Sequence, residues 1–230
     1  MKDRVIVITG AFGTLGRAVV LEALVRGATV AAIDLGPAPP AELAPLAGHG
    51  QAFGGVDLTD PDATTKTFAE VAKRFQRLDA LVNIAGGFRW ETVEGGQTAS
   101  WDKLYAINTR TAVNASRAAL PYLVQDGRGR IVNIGALGAV KAAAGMGAYA
   151  ASKAGVHRLT EALADELKGR ITVNAVLPSI IDTPVNRADM PGQDFSKWVS
   201  PAQLAGIILF LVSDEAQAIT GALIPVMGGL

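Results

Sequence analysis

Tyr149 and Lys153 are the residues of this sequence whose types and spacing point most directly to chemistry. Residues four positions apart lie one turn apart on the same face of a helix. A phenol has a reference pKa of about 10 and is a poor acid or base at neutral pH, whereas a neighbouring ammonium group lowers that pKa by stabilising the phenolate. The pair could therefore exchange a proton with a substrate, although an ordinary surface pair is the commoner meaning of this spacing alone.

A second chemical signal is a glycine triplet with three-residue spacing, formed by Gly10, Gly13 and Gly16. The triplet follows the apolar run Val5–Thr9 and opens the amphipathic run Leu15–Arg26, which predicts a loop between a strand and a helix. Glycines let a pyrophosphate approach the bare N–H groups of a helix N-terminus. We therefore predict a dinucleotide phosphate site, with a glycine-rich turn that binds nothing as the alternative.

Two aspartates follow predicted strands and could contact the rest of a dinucleotide. Asp34 ends the second predicted strand, eighteen positions after Gly16. A carboxylate there can accept hydrogen bonds from both ribose hydroxyls of NAD and repels the 2′-phosphate of NADP, and no arginine follows closely to offset that repulsion. NAD is therefore the predicted cofactor. Asp57 follows the third predicted strand, where an adenine contact and an ordinary turn residue are equally open.

The elements that must position these residues alternate between short apolar runs and longer amphipathic runs. This alternation predicts an α/β fold with a doubly wound parallel sheet, helices on both faces and three layers, in one domain over residues 1–230. The predicted strands include Val5–Thr9, Thr29–Asp34, Ala80–Asn83, Arg130–Ile134 and Ile171–Leu177. The predicted helices are Leu15–Arg26, Asp60–Phe75, about 101–125, about 149–168 and 201–212. The segment Gly36–Gly50 is interpreted as a loop.

Composition and charge exclude several classes of protein. The chain has 21 basic and 21 acidic residues, so its net charge does not favour a nucleic acid or a membrane surface. A hydrophobic content of 50% excludes intrinsic disorder. The absence of cysteine excludes disulfides and thiolate metal sites and fits a cytoplasmic protein. We expect no targeting segment, no membrane span and no metal site, and a small molecule as the substrate.

Further motifs stand in a fixed order around the tyrosine–lysine pair: Asn83-Ile-Ala-Gly86, Asn108, Pro178 to Thr183, and Ile219-Thr-Gly-Ala222. With the glycine loop and the catalytic pair, they make the chain resemble the short-chain dehydrogenase/reductase family from end to end. The resemblance implies a seven-stranded Rossmann-type sheet in the order 3-2-1-4-5-6-7. It also implies hydride transfer between NAD(H) and a small planar C=N or C=O substrate, in a homodimer or homotetramer paired through the two long helices.

The resemblance also implies a role for each matching residue. Tyr149 would donate or accept the proton, Lys153 would bind the nicotinamide ribose and tune Tyr149, and Asn108 would hold a water in a proton relay. The alternative for Asn108 is a polar helix residue. The implied cofactor-binding residues are Gly10, Phe12, Gly13, Thr14, Leu15, Gly16, Asp34, Asp57, Leu58, Asn83, Ala85, Gly86, Tyr149, Lys153, Pro178, Ile180 and Thr183.

The chain departs from the family pattern at two positions. Thr14 stands where the commonest glycine loop of the family has glycine. Ala136 stands where the family usually has a serine that hydrogen-bonds the reacting carbonyl oxygen, and losing one such donor costs roughly 10²–10³ in rate. Three hypotheses follow: a reductase of an electron-poor C=N group, a carbonyl reductase or alcohol dehydrogenase that tolerates Ala136, and a non-catalytic NAD(H)-binding sensor or scaffold.

A further resemblance favours the first hypothesis. The segments Gly145-Met146, Asp182-Thr-Pro184 and Met190-Pro191 make residues 130–200 similar to dihydropteridine reductase, which also has alanine at the serine position and an acidic residue that selects NADH. Residues 178–198 are the longest irregular stretch and are predicted to form a substrate lid. The predicted substrate pocket consists of Trp90, Ala136, Met146, Met190 and Trp198, although the aromatic and thioether side chains could equally pack a loop. His157 is expected to pack or to contact another subunit, and Arg187 to meet an anionic substrate group or solvent.

Overall fold

A parallel β-sheet forms the centre of the computed structural model, which describes residues 1–125 and 127–230. Within those residues the sheet has seven strands in the order β3-β2-β1-β4-β5-β6-β7, which confirms the predicted fold. The strands are β1 Val5–Thr9, β2 Thr29–Ile33, β3 Gly50–Phe53, β4 Ala80–Asn83, β5 Arg130–Ile134, β6 Thr172–Pro178 and β7 Leu223–Val226.

The central strands are buried on both faces because helices cover both faces of the sheet. Every residue of β1, β4, β5 and β6 is buried. One apolar cluster packs the helices Thr14–Val25 and Pro201–Val212 against the sheet, with Val19 and Ile208 fully buried. A second cluster packs three other helices against the opposite face through Phe68, Ala115 and Leu163. These two clusters make the three layers that the sequence predicts.

The helices lie close to their predicted positions. They are α1 Thr14–Val25, α2 Pro61–Phe75, α3 Thr98–Tyr105, α4 Thr111–Leu123, α5 Gly147–Glu166, α6 Pro184–Asp189 and α7 Pro201–Val212. Asp60 caps α2 by accepting from the N–H groups of Asp62 and Ala63, and Ser200 and Gln203 form a capping box on α7. In the described part of the chain, no helix is long and apolar enough to cross a membrane.

The predicted continuous helix over residues 101–125 is interrupted in the structure. A π-helical turn over Ala106–Arg110 separates α3 from α4. A π-turn adds a residue to the helical repeat and commonly marks a functional site. The prediction missed it because the apolar spacing on either side is that of an ordinary helix. The turn carries Asn108, so the interruption concerns the site directly.

Two segments interpreted as irregular contain ordered turns. Within Gly36–Gly50, residues Ala41–Leu46 form a 3₁₀-helix whose Leu43 and Leu46 side chains are buried. Residues 178–198 contain α6 and a 3₁₀-turn at Phe195–Lys197. Prolines and glycines indicated loops in both places, but buried leucines and a Thr183 cap on α6 stabilise short helices there.

Candidate active site

A cleft of about 1240 Å³ lies at the carboxyl ends of the strands. Strand β1 pairs with β2 on one side and with β4 on the other, so the strand order reverses there. In open α/β sheets ligands bind at such a switch point, outside the carboxyl ends of the strands. The cleft is lined by the glycine loop after β1, by turns after β2 to β6, and by Tyr149 and Lys153.

Close backbone contacts explain the first and last glycines of the loop. Gly10 has a φ of 63°, and a Cβ there would lie 2.8 Å from the Cα of Ala85. A Cβ on Gly16 would lie 2.1 Å from the carbonyl oxygen of Gly10. The loop is therefore folded tightly on itself and on the turn after β4. Thr14, Leu15 and Gly16 begin α1 and line the cleft, so the first N–H groups of that helix face a ligand site.

Asp34 is held in a fixed orientation at the edge of the cleft. Its Oδ2 atom accepts from the backbone N–H of Phe12 at 2.9 Å, and its Oδ1 atom accepts from the N–H of Gly36 at 2.8 Å. Phe12 does not line the cleft; its backbone N–H instead helps to hold the Asp34 carboxylate in place. Leu35, which the sequence analysis did not select, lines the cleft next to Asp34 and is exposed. Leu35 directly follows Asp34 in the sequence, and this position could have indicated that it lies in the cleft.

Tyr149 and Lys153 lie one turn apart on α5, as predicted, and both face the cleft. The Nζ atom of Lys153 donates to the carbonyl oxygen of Ile134 at 2.8 Å. Burial lowers the pKa of Lys153 to about 8 and raises the pKa of Tyr149 to about 12. The sequence analysis expected the ammonium group to lower the tyrosine pKa; in the structure burial dominates, because it disfavours the charged form of both groups.

Asn108 lies behind the cleft wall rather than in the wall. Its Oδ1 atom accepts from the N–H of Gly87 at 2.9 Å, and its Nδ2 atom donates to the carbonyl of Gly87 at 3.0 Å and to Ser152 Oγ at 2.9 Å. An amide group has two N–H donors, so both are used. Ser152 Oγ donates in turn to the carbonyl of Tyr149 at 2.7 Å. Asn108 therefore ties the turn after β4 to α5, and its relay role stays a prediction.

Asn83 is a second predicted cofactor residue that does not line the cleft. It is 5% exposed, and its Nδ2 atom donates to Asn133 Oδ1 at 2.8 Å and to Ser116 Oγ at 3.2 Å. The side chain thus belongs to a buried network between strands and helices. The strand is buried on both faces, so its sequence pattern does not tell which face Asn83 occupies. The following residues Ala85 and Gly86 do line the cleft.

The cleft wall beside the Tyr149 ring is largely apolar. The ring of Phe88 meets the ring of Tyr149 edge to face, with centroids 4.9 Å apart. Trp90 lies on Gly145, where φ is 74° and a Cβ would come 2.1 Å from the indole ring. Met146 and Met190 complete this wall. Of the residues assigned from sequence to this pocket, these methionines, Trp90 and Ala136 lie in the lining.

Trp198 is the exception, because it is buried outside the cleft. Its side chain is 4% exposed, and its ring centroid lies 4.7 Å from that of Phe195. Trp198 therefore packs the segment between α6 and α7. Arg187 does not line the cleft either: it forms two hydrogen bonds to Asp182, at 2.6 and 2.7 Å, and lies over the Phe195 ring. Arg187 lowers the pKa of Asp182, chiefly by donating these hydrogen bonds.

The remaining predicted cofactor residues surround the cleft. Besides Phe12 and Asn83, all of them line it: Gly10, Gly13, Thr14, Leu15, Gly16, Asp34, Asp57, Leu58, Ala85, Gly86, Tyr149, Lys153, Pro178, Ile180 and Thr183. Ala136 also lines the cleft, and its N–H donates to Nε2 of His157 at 3.3 Å, a contact that the sequence analysis missed. No cluster of three histidine, aspartate or glutamate residues that could hold a metal occurs among the described residues.

Comparisons of the sequence and of the structure with known proteins both find dehydrogenases and reductases. The sequence model of the short chain dehydrogenase family matches residues 4–194. The chain is 33% identical to the 3-oxoacyl-acyl-carrier-protein reductase of Thermotoga maritima, across all of this chain and 98% of that protein. It is 30% identical to the D-beta-hydroxybutyrate dehydrogenase of Rhizobium meliloti, across 97% and 96% of the two chains. The structure matches carveol dehydrogenase from Mycobacterium avium in complex with NAD, with a TM-score of 0.86, 28% identity and coverage of 100% and 98%.

Proposed function

The chain belongs to the short-chain dehydrogenase/reductase family and is an oxidoreductase, and we propose that it transfers hydride between NAD(H) and a small carbonyl or alcohol substrate. The observation that carries the proposal is the common cleft of the glycine loop, Asp34 and the Tyr149–Lys153 pair. A phosphate cradle and a proton-transfer pair in one cleft are the parts that such a reaction needs from a protein.

The residues present fit a dinucleotide. Backbone atoms occupy the positions that Cβ atoms on Gly10 and Gly16 would take, so only glycines let the loop fold this closely. The loop and the first turn of α1 line the cleft, where their N–H groups can bind a pyrophosphate. Ala85, Gly86 and Thr183 would line the nicotinamide end, and Lys153 would reach its ribose. When bound, NADH supplies the hydride.

Tyr149 and Lys153 would manage the proton. Because burial raises the pKa of Tyr149 to about 12, its hydroxyl keeps its proton at neutral pH and can donate it to a substrate oxygen or nitrogen during reduction. Because burial lowers the pKa of Lys153 to about 8, the ammonium group can lose and regain a proton near neutral pH. The pair is thus suited to give a proton at the Tyr149 hydroxyl and to restore it from the Lys153 side.

Asp34 favours NAD over NADP in this proposal. The carboxylate is fixed by two backbone N–H groups and borders the cleft, where it can accept from ribose hydroxyls. A 2′-phosphate at the same place would meet a fixed negative charge. The match to a dehydrogenase in complex with NAD is consistent with this preference.

Two substrate classes compete, and different observations favour them. The named relatives include a reductase of 3-oxoacyl compounds and a dehydrogenase of a hydroxy acid, which favours a C=O or hydroxyl substrate. Ala136 favours the second candidate, a C=N substrate of the dihydropteridine type, because an electron-poor C=N group needs less polarisation than a ketone. The apolar wall of Phe88, Trp90 and Met146 would suit a small planar molecule of either class.

The test is NADH oxidation with a panel that contains small ketones, 3-oxoacyl thioesters and quinonoid dihydropteridine generated in place. Ketone or thioester turnover that rises further in Ala136→Ser supports the carbonyl proposal. Dihydropteridine turnover with inactive ketones, and no gain in Ala136→Ser, supports the C=N candidate. NADH binding without turnover of any substrate overturns both and favours a non-catalytic sensor.

We further propose one domain over residues 1–230, in which residues 178–198 cover the substrate end. Val185, Asn186 and Met190 of that segment line the cleft, and Val185 is exposed. Trp101 and Tyr105 are also exposed, on the outer face of α3, which favours pairing of the long helices in a homodimer or homotetramer. Sedimentation of the wild type beside Trp101→Glu tests the assembly. The absence of cysteine is compatible with a cytoplasmic protein.

A further inference from the structure

The chain that leaves β5 is attached to the catalytic helix at two points. The Ile134 carbonyl accepts from Lys153 Nζ at 2.8 Å, and the Ala136 N–H donates to His157 Nε2 at 3.3 Å. Between them, the Gly135 N–H continues the ladder to β6 by donating to the Val176 carbonyl at 2.9 Å. Ile134, Gly135 and Ala136 all line the cleft, so these contacts hold a part of its wall.

His157 continues the stripe of α5 that carries the catalytic pair. It follows Lys153 by one turn and Tyr149 by two, so the three residues share one side of the helix. Its side chain is buried, with 3% of the residue exposed. The sequence analysis expected packing or a subunit contact; the side chain is packed in the structure, and it also has a polar partner on the cleft wall. This contact joins positions 21 residues apart and has no local sequence signal.

Gly135 makes room for this contact. A Cβ on Gly135 would lie 2.5 Å from His157 Nε2 and 3.1 Å from the Leu177 side chain. The imidazole therefore reaches the backbone of Ala136 only because its neighbour has no side chain. Histidine and glycine form a matched pair at this point.

The imidazole must be neutral to make the bond. Accepting from the Ala136 N–H uses the lone pair of Nε2, which places the remaining proton on Nδ1. Burial lowers the pKa of His157, and the positive charges of Arg158 and Lys153 lower it further. Both effects favour the neutral imidazole, which can accept the hydrogen bond from the Ala136 N–H.

We propose that His157 is a positioning residue, which holds the backbone of Ala136 against α5 for the hydride transfer proposed above. Ala136 has no hydroxyl group, so it can affect a substrate only through the position of its backbone and methyl group in the cleft wall. The same helix carries the Tyr149 proton donor. The His157 bond therefore keeps the wall and the proton donor at a constant separation, on which a transfer step depends steeply.

The proposal rests on the proposed function and is tested with His157→Leu and its matched control His157→Gln. Leucine fills a similar volume without an acceptor, whereas the glutamine Oε1 can accept from the Ala136 N–H. We expect His157→Leu to lower kcat by roughly 10- to 100-fold while the NADH Kd changes little, and to raise the isotope effect with 4-deuterated NADH. His157→Gln should keep most of the kcat.

Wild-type kcat in His157→Leu, an equal loss in His157→Gln, or a Kd for NADH that rises in step with the loss of kcat would overturn the positioning role. Nitrogen-15 NMR of labelled histidine in the wild type tests the bond if the leucine variant does not fold. An unprotonated Nε2 with a protonated Nδ1 supports it, and the opposite tautomer overturns it. A wild type without turnover would instead refute the proposed function, which distinguishes the two failures.

Discussion

At the scale of single residues, the site carries a buried positive charge that the fold must tolerate. Lys153 is buried and donates to a backbone carbonyl, and its pKa falls to about 8. Burying an ammonium group costs free energy that one neutral acceptor only partly offsets. Lys153 therefore lowers the free energy of unfolding, although it is needed near Tyr149 for the proposed proton transfer.

Lys153→Met should accordingly raise stability while it lowers activity. We expect a gain of about 1–3 kcal/mol in the free energy of unfolding near neutral pH, together with loss of turnover. The gain should be full below pH 8 and shrink as pH rises from about 8 to 10.5, because the native lysine loses its proton before the unfolded one. Urea unfolding at several pH values measures this. Lys103→Met, at an exposed lysine, is the control, and a destabilised Lys153→Met would contradict the argument.

Asp34→Asn should weaken the choice between the two cofactors. The substitution removes the negative charge and keeps a side chain of the same shape between Phe12 and Gly36. We expect the ratio of the Kd values for NADPH and NADH to fall about tenfold, which corresponds to about 1.4 kcal/mol. Fluorescence titration with both cofactors gives the ratio, and Asp62→Asn on α2 is the matched control. An unchanged ratio would remove Asp34 from the account of specificity.

Some residues of the site could be predicted from the sequence, and others could not. The glycine triplet, Asp34 and the Tyr149–Lys153 pair were found because each follows from local spacing beside a strand or on a helix. Asn83 was misjudged because its contacts depend on side-chain direction in a buried strand, and the hydrogen bond of His157 was not foreseen because its partner lies far away in sequence. The pKa of Tyr149 was also misjudged, since burial is a property of the whole fold.

At the scale of elements, the loop between β1 and α1 distinguishes glycines that the fold needs from one that it tolerates. A Cβ on Gly16 would lie 2.1 Å from the Gly10 carbonyl oxygen, whereas a Cβ on Gly13 would lie 3.5 Å from the same atom. Gly13 also has an extended backbone, with φ at −72°, that alanine adopts readily.

Gly16→Ala should therefore lower the free energy of unfolding by about 1–3 kcal/mol and weaken NADH binding, because the loop must shift. Gly13→Ala should change the free energy of unfolding by less than about 0.5 kcal/mol. Chemical denaturation of the two variants side by side measures the difference. Equal stabilities would show that the loop is not packed as described.

The π-turn that carries Asn108 is the element that the helical pattern hid. Its amide joins the Gly87 backbone to Ser152 of α5 through three hydrogen bonds. The π-turn between α3 and α4 thus places the Asn108 side chain within hydrogen-bond distance of both Gly87 and Ser152.

Asn108→Ala should lower the free energy of unfolding by about 1–3 kcal/mol, since it leaves buried polar groups without a partner. It should also raise the Kd for NADH, because the Gly86–Gly87 turn borders the cleft. Thermal unfolding and NADH titration measure the two effects. Gln125→Ala, at an exposed glutamine beyond the end of α4, serves as the control, and wild-type behaviour of Asn108→Ala would refute the tie.

At the scale of the whole molecule, the order of the strands brings the separate parts of the site together. The glycine loop follows β1, Asp34 follows β2, Gly86 follows β4, and Ala136 follows β5, so parallel strands deliver all four to one edge of the sheet. Alternating apolar and amphipathic runs predicted the sheet, and the resemblance supplied its strand order. Neither source indicated the π-turn or the short helix α6, and the sequence left Trp198 open between the pocket and loop packing, because these features depend on how loops pack against the finished core.

The central claim is that Tyr149 donates the proton in an NADH-dependent reduction carried out in this cleft. The most direct measurement compares steady-state NADH oxidation and the Kd for NADH in the wild type and in Tyr149→Phe, with the best substrate of the panel. We predict that kcat falls at least 100-fold, in the range of roughly 10²–10⁴ expected for a general acid, while the Kd changes by less than about twofold. Turnover by Tyr149→Phe at the wild-type rate would contradict the claim.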